Sequence, residues 1–323
     1  MKKQLVVNLE SKGIYTNYIE DDEKIIFKED DLTFETSLIS GYNIIGVNRI
    51  AVFSKDKISK AGGYFSHYLK SNGYDYITIR GKSENPVFIY INKDKVKIYD
   101  AIDFYIKDSE ESEIAIKDRL NDPNLEICSI SLGGVKKVDF SRIIFSRNKS
   151  CGKNGLGKLM GEKNLKAIAL KQVDNQNINK NHIAEEINEK IIARMNNNNI
   201  NDYFDDKNTC FGCNQNCDNS SIKKLLNKGY SLNKAKEIDI LCNKYGVDSL
   251  IFSTFLKDDE NTLDLLNKII KNPEEYRNLN ITKGKSKKNT EDQLDKLGFC
   301  KFLTNKNIIK EEELNDLLKN IKS

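Results

Sequence analysis

The hydrophobic residues of this chain change their spacing part-way along it, and this change constrains the fold more than any other feature. Up to residue 172 they occur in short β-branched or aromatic runs, interrupted by Gly, Asn, Asp and Pro, as is typical of strands and turns. Beyond residue 218 they recur every three or four residues, which indicates amphipathic helices. The pattern therefore predicts an α+β protein, with a β-rich N-terminal domain followed by a smaller helical domain.

The individual elements follow from the same pattern. The predicted strands cover residues 4–9, 50–53, 76–80, 87–91, 95–99 and 165–170. The predicted helices cover residues 110–120, 183–196, 232–245, 249–257, 262–271 and 306–321. A hairpin turn is expected at 92–95 and a basic loop at 282–289. The predicted divisions are a β-rich domain at 1–172, a polar linker with one helix at 173–204, and a small helical domain at 205–323.

Composition excludes several classes of protein. The chain has 323 residues, of which 38% are hydrophobic, and this suffices for a sizeable core in two domains. The net charge of +4 comes from 52 basic and 48 acidic residues that are mixed along the chain, whereas nucleic-acid binding needs a clustered basic face. No apolar run approaches the roughly 18 residues of a membrane span, and the N-terminus turns polar too soon for a signal peptide. We therefore expect a cytoplasmic protein that binds neither nucleic acid nor membrane.

The numbers of cysteines and histidines limit which metal sites the chain can form. Seven cysteines, an odd number, argue against a disulfide framework and favour metal binding or free thiols. They are Cys128, Cys151, Cys210, Cys213, Cys217, Cys242 and Cys300. With only two histidines, His67 and His182, a His-rich zinc or non-haem iron site is excluded.

Three of the cysteines form a tight cluster. Cys210, Cys213 and Cys217 have the spacing C-x2-C-x3-C, which lets three thiolates surround one small object. An iron–sulfur cube needs four such soft ligands, so the spacing predicts a [4Fe–4S] cluster whose fourth ligand is Cys300 or Cys242. The alternatives are inert thiols or a structural zinc site, although zinc sites usually pair two separated hooks.

A glycine-rich loop precedes the last predicted strand. Repeated glycines let backbone N–H groups approach a phosphate, and a lysine adds charge. The residues concerned are Gly152, Lys153, Gly155 and Gly157. The loop nearly matches a nucleotide-binding P-loop, but Leu159 stands where the magnesium-binding hydroxyl is required, so nucleotide triphosphate hydrolysis is rejected. The alternative is a plain glycine-rich turn.

A short motif of the form [ND]-x-x-G-apolar-[DC] occurs twice. The copies contain Asn243, Gly246 and Asp248, and then Asp295, Gly298 and Cys300. Either copy alone is explained as a helix end capped by Gly, followed by the start of a new element. Two copies, one ending in a candidate cluster ligand, predict paired binding of a two-part ligand, because short acidic and amide side chains accept hydrogen bonds from such groups.

Together these residues resemble the tungsten-containing aldehyde:ferredoxin oxidoreductases. The likeness in the N-terminal half runs from residue 49 to 170, through segments 61–65, 72–75 and 81–87, and is most specific at 155–167. The C-x2-C-x3-C spacing is that of the family's cluster ligands. Both [ND]-x-x-G motifs resemble its pterin-binding motifs, and the second ends in the fourth cluster cysteine.

The resemblance implies a cofactor set and places for it. A tungsten or molybdenum ion is held by two pterin dithiolenes on the β-rich domain, with a bridging magnesium and with a [4Fe–4S] cluster as electron relay to ferredoxin. Cys300 is then the fourth ligand, beside Cys210, Cys213 and Cys217, and Cys242 is a neighbour. Arg49 lies between pterins and cluster, residues 151–157 contact the pterin phosphates, and the two motifs contact the pterins.

The chain departs from the family pattern in several places. It is far shorter than full-length members, so the helical domain is reduced, and the E-x-x-H iron motif is absent. No histidine follows His182, and Asn243 replaces the usual Asp of the first pterin motif. Lys60 stands where an Asn helps to hold the magnesium, and Asn48-Arg49 is the remnant of a Gly-Gly-Arg stretch. No catalytic acid or base is therefore assigned.

Three functions are compatible with these features. The first is an oxidoreductase that acts on aldehyde or oxo groups and exchanges electrons with ferredoxin, its open site being closed by a large substrate or a partner subunit. The second is a degenerate, non-catalytic subunit that binds the cofactors or transfers electrons within a larger complex. The third is a zinc-stabilised binding module whose glycine-rich loop contacts an anionic partner.

Overall fold

The computed structural model describes most of the chain. The described residues are 1–20, 28, 30–55, 57–146, 149–152, 154–173, 182–197, 209–213, 220–257, 260–277, 299–300, 303 and 308. They form two mixed β-sheets with helices, which confirms the predicted α+β class. The loop predicted at 282–289 lies outside them, as does the helix predicted at 306–321 apart from Ile308. No helix in the part that is described is long and apolar enough to cross a membrane.

The first sheet is built from residues 2–80 and has the strand order β2-β1-β6-β3-β4-β5. Its strands are β1 (Lys2–Asn8), β2 (Gly13–Ile19), β3 (Leu32–Thr36), β4 (Ile50–Ser54), β5 (Lys57–Ala61) and β6 (Tyr76–Arg80). Strands β1 and β6 run parallel, and the other neighbours are antiparallel. Because the β4–β5 register pairs Ile50 with Ala61, Arg49 and Gly62 meet at the end of this strand pair.

The second sheet has the order β11-β10-β9-β12-β7-β8. Its strands are β7 (Val87–Asn92), β8 (Lys95–Asp100), β9 (Glu126–Ser129), β10 (Ile143–Phe145), β11 (Lys149–Cys151) and β12 (Leu165–Leu170). Strands β7 and β8 form the hairpin predicted at 92–95, and Lys93 adopts a φ of 51° in its turn. The central strand β12 is buried along its whole length, as its continuous apolar run indicates.

One hydrophobic core joins the two sheets. Helix α1 (Phe65–Ser71) contacts β3 of the first sheet and both β9 and β12 of the second. Its Phe65 ring lies 5.9 Å from that of Phe34 and 5.2 Å from that of Phe145, one in each sheet. Burying these rings stabilises the fold by about 1.5–3 kcal/mol per side chain. The residues before α1 are thereby fixed relative to both sheets.

The remaining helices lie within or after the second sheet. They are α2 (Ser109–Leu120), α3 (Leu132–Val135), α4 (Leu156–Glu162), α5 (His182–Asn197), α6 (Ser220–Asn227), α7 (Leu232–Tyr245), α8 (Ser249–Phe252) and α9 (Thr262–Lys271). The helix predicted within the polar linker is α5, which packs its apolar face on the loop at 39–47. Helices α6 to α9 enclose a separate apolar cluster, to which Val138 and Phe140 of the β-rich part contribute.

The helix predicted at 249–257 is wrong in its length, since α8 ends at Phe252. The hydroxyls of Ser253 and Thr254 donate to the carbonyls of Leu250 and Ile251 at 2.8 and 2.7 Å. Such side-chain bonds compete with the backbone bonds that would continue a helix. The spacing of the apolar residues does not reveal this competition, so it predicts a helix that is too long.

Backbone contact between α3 and α4 depends on glycine. A Cβ on Gly161 would lie 2.0 Å from the carbonyl oxygen of Gly134, closer than any side chain tolerates. Gly157 of the same helix packs equally tightly, because a Cβ there would lie 2.5 Å from the carbonyl oxygen of Arg142. Helix α4 is therefore held against two backbone segments at once.

Substituting Gly161 with alanine tests this contact. The gain in helix propensity is smaller than the cost of separating two backbones, so Gly161→Ala should lower the free energy of unfolding by about 1–3 kcal/mol in urea denaturation. Gly13→Ala is the matched control, because its Cβ would meet only the Ser11 hydroxyl at 3.1 Å. Equal effects of the two substitutions would contradict the close packing of α4.

Lys166 in β12 is fully buried and braces the turn before α3. Its Nζ donates to the carbonyls of Lys107 at 2.7 Å and Ile130 at 2.5 Å. Burial lowers the pKa of Lys166 to about 7, although Asp108 and Glu111 oppose this shift. Between this value and the ordinary 10.5 the unfolded chain binds more protons than the folded one, so stability rises with pH.

Replacing Lys166 with methionine removes this dependence. Compared with Lys166→Met, the wild-type protein should gain unfolding free energy as the pH rises from about 7 to 10.5, as denaturant titrations across that range would measure. The difference between the two proteins isolates Lys166 from other titrating groups. Parallel pH profiles would show that Lys166 is not buried as described.

Candidate cofactor site

Cys210 and Cys213, the first two candidate cluster ligands, lie on one tight turn. The Cys213 N–H donates to the Cys210 carbonyl at 2.9 Å, and the two residues form an isolated β-bridge. Gly212 supplies the positive φ of 70° that the third residue of such a turn needs. The C-x2-C spacing therefore produces a local hook that presents both cysteines from one loop.

This loop docks on the residues that surround the start of α1. The Phe211 N–H donates to the Gly63 carbonyl at 3.2 Å, and the Phe211 ring stacks on His67 with 3.5 Å between centroids. A Cβ on Gly62 would lie only 2.7 Å from the Cys210 sulfur. Gly62 thus leaves the recess in which that sulfur sits.

Cys300 comes to the same place from the far end of the chain. Its N–H donates to the Gly46 carbonyl at 2.7 Å, and its side chain packs on the apolar cluster that contains Cys213. Burial raises the pKa of the Cys210 thiol; Lys149 lowers it, whereas the Cys300 sulfur raises it further. Cys210 and Cys300 thus pack on the same apolar cluster, and the effect of Cys300 on the Cys210 pKa accords with this.

Cys242, the other candidate for the fourth ligand, lies elsewhere. It is buried in α7 within the apolar cluster of α6 to α9, and burial raises the pKa of its thiol well above the ordinary value. Cys210, Cys213 and Cys300 instead pack on the cluster around α5. The structure therefore favours Cys300 over Cys242 as the partner of the hook.

Arg49 lies near Cys210 and contacts the residue before Cys300. Its guanidinium donates to the carbonyls of Phe299 at 3.4 Å and Lys60 at 3.3 Å. It also lowers the pKa of the thiols of Cys210 and Cys151, although burial dominates both and raises that of Cys151 to about 12. A fixed positive charge thus sits between the end of β5 and the residue before Cys300.

The donor set and its surroundings fit an iron–sulfur cluster. The site offers soft sulfur ligands, a recess at Gly62, and the positive charges of Arg49 and Lys149 for an anionic group. The third residue of the spacing, Cys217, lies outside the described residues. Within those residues no three His, Cys, Asp or Glu side chains are close enough to share one metal ion. A cube keeps its cysteine sulfurs farther apart than a single ion does.

The glycine-rich loop is explained in part by packing. Gly155 has a φ of 63°, and a Cβ there would lie 1.9 Å from the Asp139 carbonyl oxygen. Gly157 approaches the Arg142 carbonyl in the same way, and its N–H donates to Ser141. Lys153 lies outside the described residues, and the contact of this loop with a phosphate stays a prediction.

The first [ND]-x-x-G motif is a helix end followed by a helix start, as its local pattern predicts. Gly246 caps α7 with a φ of 69°, and Asp248 caps α8 by accepting from the N–H groups of Leu250 and Ile251. Asn243 lies in the last turn of α7. The second motif, with Asp295 and Gly298, lies outside the described residues.

Sequence reasoning missed Arg142, which contacts this motif. The guanidinium donates to Asn243 Oδ1 at 3.0 Å and forms an ion pair with Asp248 at 3.5 Å. The one signal in the sequence is a charged residue at the start of an apolar run, in Phe140-Ser-Arg-Ile-Ile. A charge there must find a partner when the run is buried.

Comparison with known proteins shows where this chain has relatives. The family model for the N-terminal domain of aldehyde ferredoxin oxidoreductase matches residues 7–172. The tungsten-containing aldehyde ferredoxin oxidoreductase of Pyrococcus horikoshii is 35% identical over 167 residues, which cover 49% of this chain and 28% of the relative. That of Thermococcus kodakarensis is 37% identical over 150 residues, covering 46% and 24%.

A third relative and a solved structure widen the comparison. The aliphatic sulfonate oxidoreductase, WOR-like subunit, of Pyrococcus furiosus is 37% identical over 116 residues, which cover 32% of this chain and 18% of the relative. The active-site complex of benzoyl coenzyme A reductase with 1,5-dienoyl-CoA has a TM-score of 0.68 at 20% identity. It covers 84% of this chain and 60% of that chain, so the shared fold extends beyond residue 172.

These matches take in about half of this chain and a quarter or so of the curated relatives. The family model alone spans residues 7–172 of 323. The chain therefore belongs to the aldehyde ferredoxin oxidoreductase family, through the N-terminal domain that defines it.

Proposed function

We propose that this protein is an oxidoreductase in which a [4Fe–4S] cluster relays single electrons between a tungsten or molybdenum bis-pterin and ferredoxin or a similar carrier. The cluster ligands are Cys210, Cys213, Cys217 and Cys300. The observation that carries the proposal is the convergence of Cys210, Cys213 and Cys300 beside Arg49, from distant parts of the chain. The tungsten and the pterins rest on the relatives named as tungsten-containing enzymes.

The residues of the chain have separate tasks in this proposal. The cluster, when bound, supplies one-electron transfer. Arg49 and Lys149 favour the thiolate form that a ligand cysteine needs, because each lowers the pKa of Cys210. The stack of Phe211 on His67 keeps the hook against α1 and excludes water from one side of it. Burial of the sulfurs then makes the potential of the cluster sensitive to these two charges.

A second candidate function is a cofactor-binding or electron-transfer subunit without its own turnover. It is favoured by the engagement of the first pterin motif within the protein, since Arg142 already occupies oxygens of Asn243 and Asp248. It also accords with a relative that is itself described as a subunit. A partner chain would then complete the site. Reduction of a low-potential dye by any aldehyde would exclude this alternative.

The metal content of the purified protein distinguishes the oxidoreductase and the electron-transfer subunit from a zinc-stabilised binding module. Protein purified without oxygen should contain about four iron atoms with one tungsten or molybdenum, and its reduced form should give the EPR signal of a [4Fe–4S] cluster. Iron without tungsten or molybdenum would support the electron-transfer subunit. One zinc with no iron would overturn the proposal.

Single cysteine substitutions test the ligand assignment. Cys213→Ala and Cys300→Ala should each abolish the visible absorption of the cluster and lower the melting temperature, because cluster binding is coupled to folding. Cys242→Ala is the matched control and should keep the full iron content, since Cys242 is buried in a different apolar cluster. Loss of the cluster from Cys242→Ala, with retention in Cys300→Ala, would assign the fourth ligand to Cys242 instead.

A further inference from the structure

Arg142 sits where the β-rich part and the helical part of the chain meet. It is 5% exposed, and its N–H donates to the Gly246 carbonyl at 2.7 Å. Its neighbour Ser141 forms a β-bridge with Val247. The backbones of the two parts are thus paired at Gly246 and Val247, inside the first [ND]-x-x-G motif.

The side chain of Arg142 reaches further into this motif. Nη1 donates to Asn243 Oδ1 at 3.0 Å, and Nη2 donates to Ser249 Oγ at 3.3 Å. Nη2 also lies 3.5 Å from Asp248 Oδ2, with both side chains largely buried. A guanidinium presents its donors in a fixed fork, so these three contacts fix the relative positions of α7 and α8.

The polar atoms of Asn243 and Asp248 are all engaged inside the described protein. Asn243 Nδ2 donates to Asp239 Oδ2 at 3.2 Å, while its oxygen accepts from Arg142. Asp248 Oδ1 accepts from the N–H groups of Leu250 and Ile251 at 2.9 and 3.1 Å, while Oδ2 faces Arg142. A ligand that hydrogen-bonded either side chain would share these atoms with Arg142, Asp239 or the backbone of α8.

The same contacts explain the amide at position 243. An aspartate there would accept from Arg142 but would have no donor for the buried Asp239, and its charge would face that carboxylate. Asparagine donates to one partner and accepts from the other. The departure of this motif from the family pattern therefore matches its surroundings.

The glycine-rich loop closes over the Arg142–Asp248 pair. A Cβ on Gly152 would lie 2.9 Å from Arg142 Nε and 3.1 Å from Asp248 Oδ2. Gly157 meets the Arg142 carbonyl from the other side, with its hypothetical Cβ at 2.5 Å. Any side chain at position 152 would push the loop away from the ion pair.

From these contacts we infer that Arg142 is a positioning residue, which locks residues 243–249 and Gly152 into a joint between the two parts of the chain. The first motif serves this joint through its side chains and does not hydrogen-bond a pterin. The inference goes beyond the proposed function and depends on it only for the identity of the excluded ligand. A pterin bound near the first motif is then contacted by backbone groups or by the second motif.

Three substitutions test whether the first [ND]-x-x-G motif is a structural joint or a ligand-binding site. Arg142→Met removes the fork, Asn243→Ala removes both amide contacts, and Asp248→Asn keeps the cap of α8 while removing the charge. Arg119→Met is the matched control, because Arg119 pairs with Asp103 at the surface. Arg142→Lys keeps a buried charge and serves if the methionine variant does not fold.

Hydrogen–deuterium exchange and pterin content are the two readouts. For Arg142→Met and Asn243→Ala we expect exchange at 149–152 and 232–252 to rise about tenfold, equivalent to about 1.4 kcal/mol, with residues 87–100 unchanged. The ratio of released pterin to iron should stay at the wild-type value in Asn243→Ala. The double variant Arg142→Met with Asp248→Asn should destabilise less than the two single effects together, because they remove one shared contact.

Two results would overturn the joint. The first is loss of pterin from Asn243→Ala with wild-type exchange, which would make Asn243 a ligand contact. The second is wild-type exchange in Arg142→Met, or additive effects in the double variant. A wild-type protein without any pterin would contradict the proposed function, while the exchange and the double variant would still decide the joint.

Discussion

The structure around the candidate site depends on close contacts between backbone segments. No side chain lies between these segments, because glycines stand at the points of contact. Gly134 and Gly161 bring α3 and α4 together, and Gly157 lies on the Arg142 carbonyl. Gly133 does the same for the helical part, since a Cβ there would lie 2.6 Å from Val247 and 2.9 Å from the Tyr245 carbonyl. The end of α7, the glycine-rich loop and the turn before β10 therefore cannot move independently. Arg142 depends on this frame for its position.

Burial and charge act against each other at the cysteines, and that balance shapes the chemistry. Desolvation raises the pKa of Cys210, while Lys149 and Arg49 lower it. Cys128 and Cys242 lack comparable exposure and lie in apolar clusters, where burial keeps their pKa values well above the ordinary one. Cys242 also has a cation nearby, since Arg142 lowers its pKa, so what distinguishes Cys210 is its partial exposure beside Lys149 and Arg49.

His67 has a structural place in this arrangement. Burial lowers its pKa to about 4, although a hydrogen bond with the Gly41 backbone opposes the shift, so the ring is neutral at pH 7. A neutral ring stacks on Phe211 without the cost of a buried charge. Its contribution to stability is present above pH 6.5 and is lost as the pH falls through about 4. Aromatic packing of the hook, rather than proton transfer to a substrate, is the role that its surroundings give it.

The sequence by itself determined the elements whose signals are local. The strands at 76–80, 87–91 and 95–99, the helix at 232–245 with its Gly246 cap, and the tight hook of Cys210 and Cys213 all follow from neighbouring residues. Strands as short as β10 and β11 and the short helix α1 carry too little pattern to be predicted, because packing between the sheets decides them. Only the tertiary structure placed Cys300, and not Cys242, on the apolar cluster of the hook and paired Arg142 with Asn243 and Asp248. Arg142 and Asn243, for example, are 101 positions apart, and spacing along a chain does not reveal which of its buried groups meet.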